Sequence, residues 1–147
     1  MRGRATFLAG NITLTLFATV HLLAVYNANF GRPRSEAEAQ LHAQARSLAT
    51  DLGPFHATAW GAIQILNASY SALLAYVAVL NFVSWRTLAA AGRLRAFTAV
   101  QVAFTAVLTV ITVIYQFPPP MVFAGLALVL FLISWICQGR NAAQKVY

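Results

Sequence analysis

Four apolar runs, each long enough to cross a lipid bilayer as a helix, constrain this chain more than any other feature. They extend from Thr6 to Asn27, Ala59 to Val83, Ala96 to Tyr115 and Met121 to Gln138. About 20 helical residues span the hydrocarbon core of a bilayer. Inside it the backbone must satisfy its own N–H and C=O groups, and a helix does so within one segment. Of the 147 residues, 60% are hydrophobic and 9% charged, against a charged fraction of about 25% in soluble domains. That much apolar surface cannot be hidden in a soluble core of this length. The expected fold is all-α: a polytopic four-helix transmembrane bundle, with residues 1–147 as a single membrane domain. Arg2 and Arg4 precede the first run, as in a signal peptide. However, the run exceeds the roughly 7–15 residues of an h-region. It also contains Asn11 and His21, and no convincing small-x-small cleavage site follows. The sequence is read as a retained helix.

All three acidic residues, Glu36, Glu38 and Asp51, fall in the segment 28–56 between the first two runs, as do His42 and His56. Ser35 to Glu38 forms a capping box, in which the hydroxyl accepts from the backbone N–H of Glu38 and the carboxylate reaches back. Ala37, Leu41, Ala45, Leu48 and Leu52 then recur at helical spacing, and Gly53-Pro54 supplies a stop. The pattern predicts a short amphipathic helix over 35–52, lying on the mouth of the bundle or on the membrane surface. Pro118-Pro119-Pro120 predicts an extended break between the third and fourth spans.

Ten Lys/Arg against three acids give a net charge of +7. The N-terminus (Arg2, Arg4), the connector 84–95 (Arg86, Arg93, Arg95) and the tail (Arg140, Lys145) carry most of the basic residues. The positive-inside rule then places both termini in the cytoplasm, in a bacterial inner membrane on this reading. No recognition helix or aromatic-rich basic sheet is visible, so nucleic acid is not an expected partner. Cys137, the one cysteine, has no intrachain partner for a disulfide.

His21 is the only ionisable side chain well inside a span. Such a residue is a functional hypothesis by default; the partners considered are Glu38, Asp51 and Tyr115. His56, Trp60, Gln64, Asn67 and Ser71 share one helical face of the second run. Gln101, Thr105, Thr109, Thr112 and Gln116 share one face of the third. Amides facing lipid cost several kcal/mol, about 2–7 without partners, so both faces should point inward. Interhelical hydrogen bonding accounts for the threonines. Gln64 with Asn67 points to a wet or ligand-lined pocket, with Trp60, Tyr115 and Gln116 on the same side of the membrane. The candidate catalytic groups are His21, Asp51 and Glu38, although capping and the helix dipole already explain Glu38 and Glu36.

No paired cysteines, glycine-rich phosphate loop or H-E-x-x-H motif is present; neither a metal nor a cofactor is expected. His21-Leu22-Leu23, Leu66-Asn67-Ala68-Ser69-x-Ser71 and the turn Tyr115–Pro120 running into Gly125 resemble a family of small, functionally uncharacterised bacterial membrane proteins with four helices. The resemblance implies the four-helix fold and weight for His21 and Asn67, and brings no established activity. The expected function is binding or conversion of a small lipophilic molecule by acid–base chemistry, as in an isomerase or cyclase. In that reading segment 35–52 closes the mouth. The alternative is a non-catalytic subunit or scaffold of a membrane complex, with a partner protein or a second copy in the bilayer.

Overall fold

The computed structural model describes residues 2–52, 55–116 and 118–143. Its elements are α1 (Arg2–Phe30), α2 (Glu36–Ser47), β1 (Ala49–Leu52), β2 (Phe55–Thr58), α3 (Ala59–Ala90), α4 (Leu94–Ile114) and α5 (Pro118–Ala143). Four of these helices, α1, α3, α4 and α5, are long and apolar enough to cross a membrane. The chain is an all-α integral membrane protein of the helical-bundle class, with an amphipathic helix between the first two spans.

The structure corrects three expectations about element boundaries. The amphipathic helix ends at Ser47, not at residue 52. From Ala49 the chain is extended and pairs antiparallel with 55–58, Asp51 opposite His56 and Leu52 opposite Phe55. A strand here lets the two segments satisfy each other's backbone groups, which a helix end in this place would leave unpaired. His56 therefore lies in β2 and not on the helical face that begins at Trp60. Second, the three prolines do not separate spans three and four; they form the first turn of α5. The first N–H groups of a helix have no intrahelical acceptor, so proline loses nothing there. The helix that holds the fourth span runs on past Gly139 to Ala143. Third, the connector between α3 and α4 shrinks to residues 91–93. Gly92 takes φ +70°, and the Arg93 N–H reaches the Leu88 carbonyl at 2.8 Å, closing a Schellman motif. A side chain in this left-handed conformation costs about 1–2 kcal/mol. Gly92→Val should lower the unfolding free energy by about that much, as read by equilibrium unfolding in mixed micelles.

The chain divides into two compact units, Met1–Ala18 with Leu74–Tyr147 and Thr19–Leu73. In the first, the buried positions recur at alternating spacings of three and four. They include Gly3, Phe7, Gly10, Leu14 and Phe17 on α1, where Asn11, Thr13 and Ala18 widen the buried face, and Leu74, Ala78 and Asn81 on α3. On α4 they are Leu94, Thr98, Gln101, Thr105, Leu108 and Thr112, and on α5 Pro120, Ala124, Ala127, Phe131 and Ser134. This is the repeat of coiled-coil packing. Phe7 meets the Phe131 ring edge-on with centroids 5.5 Å apart, and Phe17 stacks on Phe123 at 5.7 Å. Glycine lets α1 approach α5 closely: a Cβ at position 10 would come within 3.1 Å of the Phe131 ring.

The second unit holds the C-terminal part of α1, α2, the ribbon and the N-terminal part of α3. The Ser35 hydroxyl accepts from the Glu38 N–H at 3.1 Å. The Glu38 carboxylate accepts from the Arg34 N–H at 2.6 Å, one residue before the position a standard capping box would use. Thr58 caps α3 through the Gly61 N–H at 3.1 Å.

Candidate functional site around His21

His21 is half-buried on α1 in the second unit. Its Nδ1 lies 2.7 Å from the Ser71 hydroxyl on α3. Ser71, itself buried, donates to the carbonyl of Asn67 one turn back, at 3.0 Å. A hydroxyl carries one proton. With that proton committed to Asn67, the contact with His21 is an Nδ1–H donating to the Ser71 oxygen. The neutral Nδ1–H tautomer is the one that fits both contacts. Tyr70 packs against the imidazole edge-on, with centroids 5.0 Å apart. Ser71, a residue of the polar face of α3, is thus a partner of His21 that was not among the three considered from the sequence. Sequence reasoning placed Ser71 on this face without pairing it to His21.

A second polar link lies further along the same pair of helices. The Asn29 amide donates to the Gln64 side-chain oxygen at 2.9 Å and to the Val25 carbonyl at 2.8 Å. Gln64 and Ser71 are seven residues apart, about 10.5 Å along α3 at 1.5 Å per residue. Asn67 falls between them. With Oε1 of Gln64 occupied, an oxygen of a bound molecule would have to be met by its Nε2.

The remaining candidates are placed elsewhere. Trp60 lies under α2, with the His42 ring 4.4 Å and the Arg46 guanidinium 5.2 Å from its own. The Glu38 carboxylate serves its own helix cap and stands 4.0 Å from His42. The Asp51 backbone is in β1; its side chain lies outside the described residues. Tyr115 and Gln116 belong to the other unit, at the α4–α5 turn. Both are exposed, and Gln116 has φ 49°, so Gln116 does not continue the buried face of Gln101, Thr105 and Thr112. Among the described residues, no group of three or more His, Cys, Asp or Glu side chains gathers.

The first unit holds a polar interior of which sequence reasoning foresaw only the α4 face. The Asn11 amide donates to the Ala78 carbonyl at 3.0 Å, and its oxygen accepts from Asn81 at 2.9 Å. Near the N-terminus of α1, the Gly3 carbonyl accepts from Ser134 at 2.6 Å. Gln138 donates to Ser134 at 2.8 Å and to Thr98 at 3.2 Å. The side-chain oxygens of Asn81, Gln101 and Gln138 are buried with no donor among the described residues. Thr98, Thr105 and Thr109 donate instead to their own helices.

No family model, curated protein or solved structure matches the chain.

Proposed function

We propose that this membrane protein binds a small lipophilic molecule at His21 and converts it by proton transfer. The observation that carries the reading is the Ser71 link. It supports a reading in which Nδ1 donates to Ser71 and Nε2 serves as the base, as a general acid–base group requires. In the reaction class this suggests, Nε2 takes a proton from a carbon beside a carbonyl or alkene and returns it at another carbon. No net proton, electron or cofactor is consumed in such an isomerisation. Asn67 and the Nε2 of Gln64 would hold a substrate oxygen. Their spacing along α3, up to about 10.5 Å from Ser71, favours an elongated molecule over a compact one.

The test is native mass spectrometry of protein purified in mild detergent, comparing wild type, His21→Ala and Ser71→Ala. Ser71→Ala removes the same interhelical bond, worth about 0.6 kcal/mol on average, but keeps the imidazole. The expected result is a bound lipophilic species in wild type, lost at least tenfold in His21→Ala and largely kept in Ser71→Ala. Equal occupancy in all three, with each variant folded, rejects the proposal.

A second reading, an accessory subunit of a membrane complex, has its own support. Ala75 on α3 and Ala103 on α4 are exposed, and small residues let another helix approach closely. A stoichiometric protein partner in the same preparation, without a bound small molecule, would favour it.

A further inference from the structure

We propose that α2 lies in the interfacial plane of the bilayer, with Leu41 and Leu48 inserted among the lipids. This does not rest on the ligand-binding reading. The argument begins with the face that α2 turns to the protein. His42 and Arg46 both pack on Trp60 of α3, so the polar side of the helix is its docked side. Leu41 and Leu48 remain 63% and 61% exposed. Leu41 sits about 100° and 140° around the helix from His42 and Arg46, at 3.6 residues per turn, and Leu48 follows at the C-cap. No residue of α2 is buried. Leucine side chains gain from burial, so the exposed Leu41 and Leu48 favour an apolar neighbour.

The position of α2 identifies that neighbour. Only residues 31–35 separate it from the end of α1. At its other end the Leu48 carbonyl accepts the N–H of Ala59, the first residue of α3, at 2.9 Å. Both ends are therefore tied to the ends of membrane-spanning helices, at the level of the lipid headgroups. The exposed apolar surface is also continuous in kind with those spans, through Tyr26 and Phe30 of α1 and Ile63 and Leu66 of α3. Tyr26 and Phe30 pair with ring centroids 5.0 Å apart, aromatic residues of the sort that collect at the membrane–water boundary. Arg32 and Arg34, both exposed in the connector, supply positive charge for lipid phosphates.

Cys137 is the one native cysteine, so a Cys137→Ala background permits single nitroxide labels. Leu41→Cys and Leu48→Cys report the apolar stripe. Ala39→Cys and Ala43→Cys report the exposed side away from it. Each protein is reconstituted in vesicles of phosphatidylcholine and phosphatidylglycerol. The ratio of oxygen to nickel-chelate accessibility should be several-fold higher at 41 and 48 than at 39 and 43. Equal ratios at all four sites would place α2 in water and overturn the proposal. Strongly immobilised labels at 41 and 48, shielded from both reagents, would overturn it in favour of a protein cover.

Discussion

Phe131→Ala is expected to destabilise the bundle by about 3–5 kcal/mol, the usual range for deleting a buried phenyl ring. Phe131 is fully buried and meets the edge of Phe7. It belongs to the apolar cluster that Leu14, Ala78, Leu94 and Ala127 complete. The sharper test couples it to α1. A Cβ at Gly10 would come within 3.1–3.2 Å of three Phe131 ring carbons, so Gly10→Leu alone should overpack and cost about 1–3 kcal/mol. In the double variant the added leucine enters the space vacated by the ring. The pair should then be less damaging than the sum of the singles by about 0.5–3 kcal/mol, the range for residues in direct contact. Equilibrium unfolding in mixed micelles measures all three. Additivity would mean that α1 and α5 do not approach through this glycine.

The spans themselves were legible because lipid imposes a length and a composition that any reader of the sequence can count. The buried face of α4 was legible for a similar reason: Gln101, Thr105 and Thr112 mark it at helical spacing within one segment. What escaped sequence reasoning depends on partners far along the chain. Asn11 and Asn81 each stand alone among apolar neighbours, and their significance lies in a bond spanning 70 residues. Ser71 was visible on its face, but only the packing of α1 on α3 shows that it receives His21. The ribbon was missed because Ala45, Leu48 and Leu52 keep a helical spacing that the backbone abandons after Ser47. Here local periodicity competed with the pairing of two short strands, and pairing won. The proline turn was misread because the same residue that breaks a helix interior is well suited to a first turn.

Asn11→Leu is the second large effect. Both ends of the Asn11 amide are engaged, its nitrogen by the Ala78 carbonyl and its oxygen by Asn81. Leucine keeps the branching at Cγ but strands the Asn81 nitrogen, whose oxygen already has no donor among the described residues. A stranded buried polar group costs about 1–3 kcal/mol. Interhelical hydrogen bonds in membranes average only about 0.6 kcal/mol, because a released group usually finds another partner. Asn81 is fully buried, which restricts that escape, so the larger figure should apply. Replacing both partners removes the stranded amide as well as the bond, and such exchanges can be nearly neutral. Asn11→Leu/Asn81→Leu should therefore be more stable than Asn11→Leu alone, read from the same unfolding titration. If the double variant is instead the least stable of the set, Asn81 holds something that the protein chain does not supply, and its oxygen marks a site for a bound water or other donor.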